Sequence, residues 1–260
     1  MVKVIVITSG KGGVGKTTTA VNLGAALHGF GKDVVLIDGN LTTPNVGLHL
    51  GSPEVPVSLN HVLMKNADIY EAIYEHESGL KIIPSSLSIK DLKKLDLKKM
   101  KSLKKDLNDL SEFVIIDSSA GLGEEAMSAI DLADELIVIT NPEMPAITDA
   151  LKAIKFAEEK KKPVRGVIMT RVRRNKSEMQ PDEVRDMLES EVLGMIPEDI
   201  IIQESLRIKH PVVHAFPKSK SARAYKEIAA NLIDEDYDSS VDRENIFERI
   251  ARIFGKRTKI

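Results

Sequence analysis

The sequence predicts an α/β fold: a doubly wound, mostly parallel sheet flanked by helices on both faces. Two observations carry that prediction. Short apolar runs alternate with helical patterns from residue 2 to residue 233, the order that builds an open parallel sheet. The runs Val4 to Ile7, Phe113 to Ile116 and Leu136 to Ile139 are continuous rather than alternating, as strands covered on both faces require. A chain of 260 residues without an internal repeat or a low-complexity stretch suffices for one such domain with a well-buried sheet, expected over residues 1–233.

Composition narrows the classes. Lys+Arg 37 against Asp+Glu 39 is close to balance, so the whole molecule carries no bias toward nucleic acid and any basic partner site must be local. The chain has no cysteine, which removes disulfides, thiolate metal sites and iron–sulfur chemistry. The first strand begins at once with no basic and apolar leader, and no apolar run approaches the roughly 20 residues that span a bilayer. A cytoplasmic protein is expected.

The first element, Val2 to Thr8, feeds Gly10-Lys11-Gly12-Gly13-Val14-Gly15-Lys16-Thr17-Thr18, after which the helical pattern runs from Thr19 to His28. A strand, a glycine-rich turn and a helix N-terminus converge backbone N–H groups on negative charge. The match is G-x-x-x-x-G-K-T. Gly12, Gly13, Val14 and Gly15 form a loop in which the glycines let the main chain approach phosphates; Lys16 reaches the outer phosphoryl oxygens and the Thr17 hydroxyl ligates Mg²⁺. Thr18 is assigned to an inner phosphate.

Lys11 narrows the reading further. The string K-G-G-V-G-K-T-T resembles the deviant Walker A motif of the MinD/ParA family of P-loop ATPases. The resemblance implies a P-loop NTPase fold, ATP with Mg²⁺, and an ATP-dependent homodimer in which Lys11 reaches the partner's phosphates.

The second strand, Asp33 to Asp38, ends in an acid. Ligands of an open parallel sheet lie beyond the carboxyl ends of its strands, so Asp38 is a candidate for the metal's water shell; the alternative is a carboxylate that caps the next helix. Gly39 to Asn45 resembles the family's switch I, with Asn40 where relatives carry the acid that orients the attacking water. An amide holds a water but does not take its proton, so ATP is expected to bind and to be hydrolysed slowly.

Residues 58–75 read as two short amphipathic helices separated near Asn66, and Leu80 to Pro84 as a strand. Ser88 to Leu110 is lysine-rich with leucines at helical spacing, broken near Asp96. The acids interleaved there favour a solvated helix face over a nucleic-acid patch. Phe113 to Asp117 has the Walker B pattern, four large apolar residues ending in an acid that faces the metal's water shell. Ser118 to Gly123 resembles switch II, with Ser119 where proline is usual and the Gly121 N–H as a sensor of the γ-phosphate.

Glu135 to Thr140 is a further strand, followed by Asn141-Pro142-Glu143 and a helix over Ala146 to Glu159. By resemblance, that helix and the switches contact a regulatory protein. The next strand ends Thr170-Arg171, where relatives carry an Asn-Arg pair for adenine: Thr170 departs and Arg171 matches. Asn175-Lys176-Ser177-Glu178 looks like a guanine motif but lies beyond the strand end, so adenine is preferred. Val192 to Asp199 matches the family's strand and the I-P-E-D loop that follows it, a resemblance that puts Pro197 and Asp199 at the base. A helix from Ser219 to Ile233 closes the domain.

Residues 234–244 carry six acids against Arg243 alone, a self-repelling linker. Residues 245–260 reverse the sign, with five basic residues against Glu248, and Ile246, Phe247, Ile250, Ile253 and Phe254 form one helical stripe. Such a helix suits the interface of an anionic bilayer, and it resembles the membrane-targeting helix of the MinD branch. The alternative is an ordinary last helix docked on the body. The leading expectation is a MinD-like ATPase, peripheral at the inner face of the membrane when ATP-bound; a ParA-like ATPase that binds DNA as a dimer is the second.

Overall fold

The computed structural model describes residues 2–173, 175 and 177–238. The predicted membrane helix, and the linker from residue 239 on, lie outside the described residues. So does Lys176 of the guanine-like string.

Eight strands form one sheet in the order β3-β4-β2-β5-β1-β6-β7-β8: β1 Lys3–Thr8, β2 Val34–Gly39, β3 Tyr74–Glu75, β4 Lys81–Ile83, β5 Phe113–Ser118, β6 Glu135–Thr140, β7 Val164–Val172 and β8 Val192–Pro197. Every pair is parallel except β3 with β4 at the edge. Because β5 lies between β2 and β1, Asp38 pairs with Asp117 in register, and Asp117 pairs with Ile7 on the other side. The ends of three strands thereby open on one point.

The alternation of side chains explains the continuous apolar runs. Ile5, Ile7, Leu36 and Ile115 face one layer, built largely from α1 Lys16–Gly29 and α10 Lys220–Leu232. Val4, Val6, Val35, Ile37, Val114 and Ile116 face the other, covered by α3 Leu59–Leu63 and α5 Glu124–Leu132. Each strand position is thus buried whichever way it points. A third cluster, around Val138, Met169 and Val184, lies under α6 Met144–Glu159 and α7 Pro181–Leu188.

The differences from the sequence reading are local. Residues 69–72 form one 3₁₀ turn started by Asp68, whose carboxylate accepts the Tyr70 N–H, rather than a second α-helix. The lysine-rich stretch breaks at Asp96 as expected, giving α4 Ile89–Lys94 and then a 3₁₀ run over Leu97–Lys104. Buried Met100 and Leu103 stand three residues apart, a spacing that a helix of three residues per turn keeps on one side. Three further helices, α5, α7 and α8 Ile200–Arg207, of nine, eight and eight residues, lie where the sequence predicts none. The helices α2 Val46–His49 and α9 Val212–Ala215 are single turns. The first residues of the expected linker make contacts with the body. Glu235 pairs with Lys32 at 2.9 Å, and the Tyr237 ring stands edge-on to Phe30 and 5.9 Å from the Lys226 ammonium. Among the described residues, no helix is long and apolar enough to cross a membrane.

Candidate functional site

The loop between β1 and α1 borders a cavity of about 560 Å³ that also touches Asn40, Thr42, Ala120, Glu125 and Arg171. Gly13 and Gly15 take φ of 79° and 89°, a conformation that costs side-chain-bearing residues 1–2 kcal/mol, in order of magnitude. Gly15 is the N-cap of α1 and supplies no side chain, so the first-turn N–H groups stay open to an anion. Gly10, to which the sequence reading gave no role, lets α6 pass against the loop: a Cβ there would stand 1.9 Å from the Asp149 carbonyl oxygen. Thr170 fastens the loop from β7. Its hydroxyl has the Val14 carbonyl and Asn141 Oδ1 within reach, so the residue that departs from the adenine pair works inward, on the loop.

One carboxylate gathers the loop's two functional side chains. Lys16 Nζ lies 3.2 Å from Asp117 Oδ1, and the Thr17 hydroxyl donates to Asp117 Oδ2 at 2.6 Å. Asp117 is fully buried and the Lys16 side chain nearly so. Thr17 lines the cavity and the buried Asp117 carboxylate stands directly behind its hydroxyl; these are the hard oxygen donors that Mg²⁺ takes alongside water and substrate phosphates. Among the described residues there is no cluster of three carboxylate or imidazole ligands, so a metal here would need those phosphate and water oxygens.

Asp38, its register neighbour, is occupied differently. Oδ1 accepts the Asn40 N–H at 3.2 Å, and Oδ2 accepts the Asn45 and Val46 N–H groups, both at 2.9 Å. The carboxylate caps the start of α2, which was the alternative reading. Burial, and then the Asp117 charge, push its pKa up to about 8, against the pull of those three N–H groups.

Asn40 is turned into its own loop. Nδ2 donates to the Thr43 carbonyl at 2.6 Å, while Oδ1 accepts the Thr43 hydroxyl at 3.1 Å and the Thr43 N–H at 3.3 Å. Glu125 was not anticipated as a site residue. Its Oε1 accepts the Thr42 N–H at 2.9 Å and its Oε2 the Thr42 hydroxyl at 3.1 Å, tying switch I to the first turn of α5. In sequence it reads only as a first-turn acid that favours the helix dipole.

The remaining predicted residues divide. Gly12, Thr18 and exposed Lys11 line the cavity. Arg171, at φ 55°, stands between it and a neighbouring cavity of about 480 Å³ beside Pro142 and Met144. The Gly121 N–H donates to the Ser9 carbonyl at 2.9 Å, so in this state it does not face the cavity. Pro197 and Asp199 are not among the residues that line either cavity. Asp199 caps α8 through the Ile201 N–H and accepts the Ser221 hydroxyl at 3.0 Å.

A family profile described as an AAA domain matches residues 2–166. An ATP-binding protein of Methanocaldococcus jannaschii is 38% identical over 97% of each chain. The septum site-determining protein MinD of Synechocystis is 32% identical over 97% of this chain and 98% of its own. The chain belongs to the MinD/ParA family of P-loop ATPases. The fold agrees: the MinD of Pyrococcus horikoshii, solved as a complex with Mg-ADP, superposes with a TM-score of 0.85 at 33% identity, covering 94% of this chain and all of the other. A profile of the 4Fe-4S iron sulfur cluster binding proteins of the NifH/frxC family matches residues 107–254. With no cysteine in the chain, this family member lacks the thiolates that hold such clusters.

Proposed function

We propose that this MinD/ParA-family ATPase is a membrane switch: Mg-ATP assembles a homodimer, the dimer presents two C-terminal helices to anionic lipid, and slow hydrolysis releases both. The observation that carries the reading is the buried Asp117 carboxylate holding together Lys16 and Thr17, both of which line a cavity that exposed Lys11 also borders. Lys16 supplies positive charge to the outer phosphates, Thr17 and Asp117 offer oxygens for Mg²⁺, and Asp38 stiffens switch I beside them. Bound Mg²⁺ would neutralise phosphate charge as the γ-phosphoryl group leaves. Lys11 stands at the rim, where it can reach a second nucleotide across a dimer interface, and Arg171 borders the place for adenine.

Residues 1–233 act as the ATPase domain, 234–244 as a linker and 245–260 as the lipid-binding helix. Two weak anchors joined by dimerisation bind far more tightly than one, without any new contact. The outer face of α6, with exposed Met144, Thr148 and Lys152, and the switches beside it are the docking surface for a regulatory protein. The cellular role is spatial control of division or of another positioned structure.

Sedimentation with anionic vesicles tests the reading. The parent should sediment with Mg-ATP and stay in solution with Mg-ADP; Lys11→Ala should bind ATP, remain monomeric by light scattering and stay in solution. Deleting 245–260 should abolish sedimentation and leave dimerisation intact. If the truncated protein still sediments, the membrane reading fails; if the ATP dimer instead retards DNA, the ParA-like alternative replaces it.

A further inference from the structure

The residue that relatives use to orient the attacking water is an amide here, and that amide is committed elsewhere: both polar atoms of the Asn40 side chain bond to Thr43. Hydrolysis then needs another acceptor at the cavity wall. Among the described residues that border the cavity, Glu125 is the one carboxylate. Asp38 is filled by three N–H groups and Asp117 by Lys16 and Thr17. Glu125 is 9% exposed, and its two oxygens are held in place by the Thr42 N–H and hydroxyl. A carboxylate offers about four acceptor sites, and Thr42 takes two of them. The group is thus fixed in position, with acceptor capacity left over.

We infer that Glu125 is the acid that orients and deprotonates the attacking water in this chain, supplied from α5 because switch I lacks one. The inference rests on the ATPase reading above. The water oxygen forms a bond to the γ-phosphorus as the bond from that phosphorus to the β,γ-bridging oxygen breaks. ADP leaves with the electron pair of the broken bond. The water's proton passes to the Glu125 carboxylate and from there to phosphate or solvent, so the carboxylate is regenerated.

Glu125→Gln separates this role from that of a simple latch. The amide keeps both bonds to switch I, since its oxygen accepts the Thr42 N–H and its NH₂ donates to the Thr42 hydroxyl; only the basicity is lost. Turnover of the parent should fall about 10²-fold, the lower end of what a positioned base contributes. Mg-ATP affinity and amide exchange over residues 40–45 should stay unchanged. In the Asn40→Asp background, where an acid is restored at position 40, Glu125→Gln should cost less than about 3-fold, because either acid suffices.

Equal turnover in Glu125→Gln and an active parent would overturn the inference alone. An equal loss in both backgrounds with faster exchange over residues 40–45 would also overturn it, in favour of a latch. A parent that binds Mg-ATP yet turns over no faster than Lys16→Ala would overturn the ATPase reading and the inference together.

Discussion

Asp38 and Asp117 look alike in sequence and sit side by side in register at the ends of β2 and β5, both fully buried. Their partners differ. Asp117 holds side chains from a hundred residues away, Lys16 and Thr17, and so couples the phosphate loop to the sheet. Asp38 holds backbone N–H groups two to eight residues ahead of it, and so builds switch I. A strand-end position says where an acid stands; the donors that reach it decide what it does. Asp117 is neutralised by a cation that phosphates would compete for, whereas Asp38 is met only by dipoles and carries the electrostatic strain of the pair.

The harshest test of the contrast removes that cation. Lys16→Ala should abolish Mg-ATP binding in titration calorimetry, since Lys16 supplies the main positive charge over the outer phosphates. It should also lower the thermal midpoint, because breaking a buried pair from one side costs about 3–5 kcal/mol. Unchanged ATP affinity would separate the loop from nucleotide altogether.

Next in size is Asn40→Asp, which puts an acid into the region built on backbone donors. Phosphate release should rise by about 10²-fold in the Glu125→Gln background, where no other positioned base remains, and by far less in the parent. Urea unfolding of the nucleotide-free protein should show a loss of about 1–3 kcal/mol, as the bond from Nδ2 to the Thr43 carbonyl is replaced by two facing acceptors. A gain in turnover without a loss of stability would mean that the loop re-forms around the new acid.

These contrasts set how much was legible. Seven of the eight strands, the glycine-rich loop before α1 and the strand-end place of Asp117 were legible, because each rests on a local pattern: an apolar run, a loop of fixed spacing, an acid at a strand end. The edge strand Tyr74–Glu75 is too short to show a period. Glu125 was missed for a different reason. Its role comes from a contact with Thr42, 83 residues away, and nothing in the local run Gly123-Glu124-Glu125 tells one first-turn acid from the other. Asp199 shows the converse. Its place in the I-P-E-D loop put it at the base, while its oxygens cap α8 and accept from Ser221.

The last test bears on the pair most directly. A carboxyl with a folded pKa of about 8 and an ordinary unfolded value near ~4 binds a proton in the folded state that the unfolded chain lacks between those two values. Stability therefore falls as pH rises through that window, by at most about 1.4 kcal/mol per pH unit for one group. Urea midpoints of the nucleotide-free protein should drop from pH 5 to pH 8. Asp38→Asn should flatten that slope, since an amide carries no charge to bury. Its oxygen can keep the Asn45 and Val46 N–H groups, while its NH₂ meets the Asn40 N–H that now points at Oδ1, so one of three bonds is lost, for about 1 kcal/mol at low pH. The parent and variant curves should therefore cross at about pH 5, with the variant the more stable of the two by pH 8. A parent midpoint that rises with pH over this range would mean that the three N–H groups outweigh burial and the neighbouring charge, and that Asp38 is ionised in the folded protein at every pH tested.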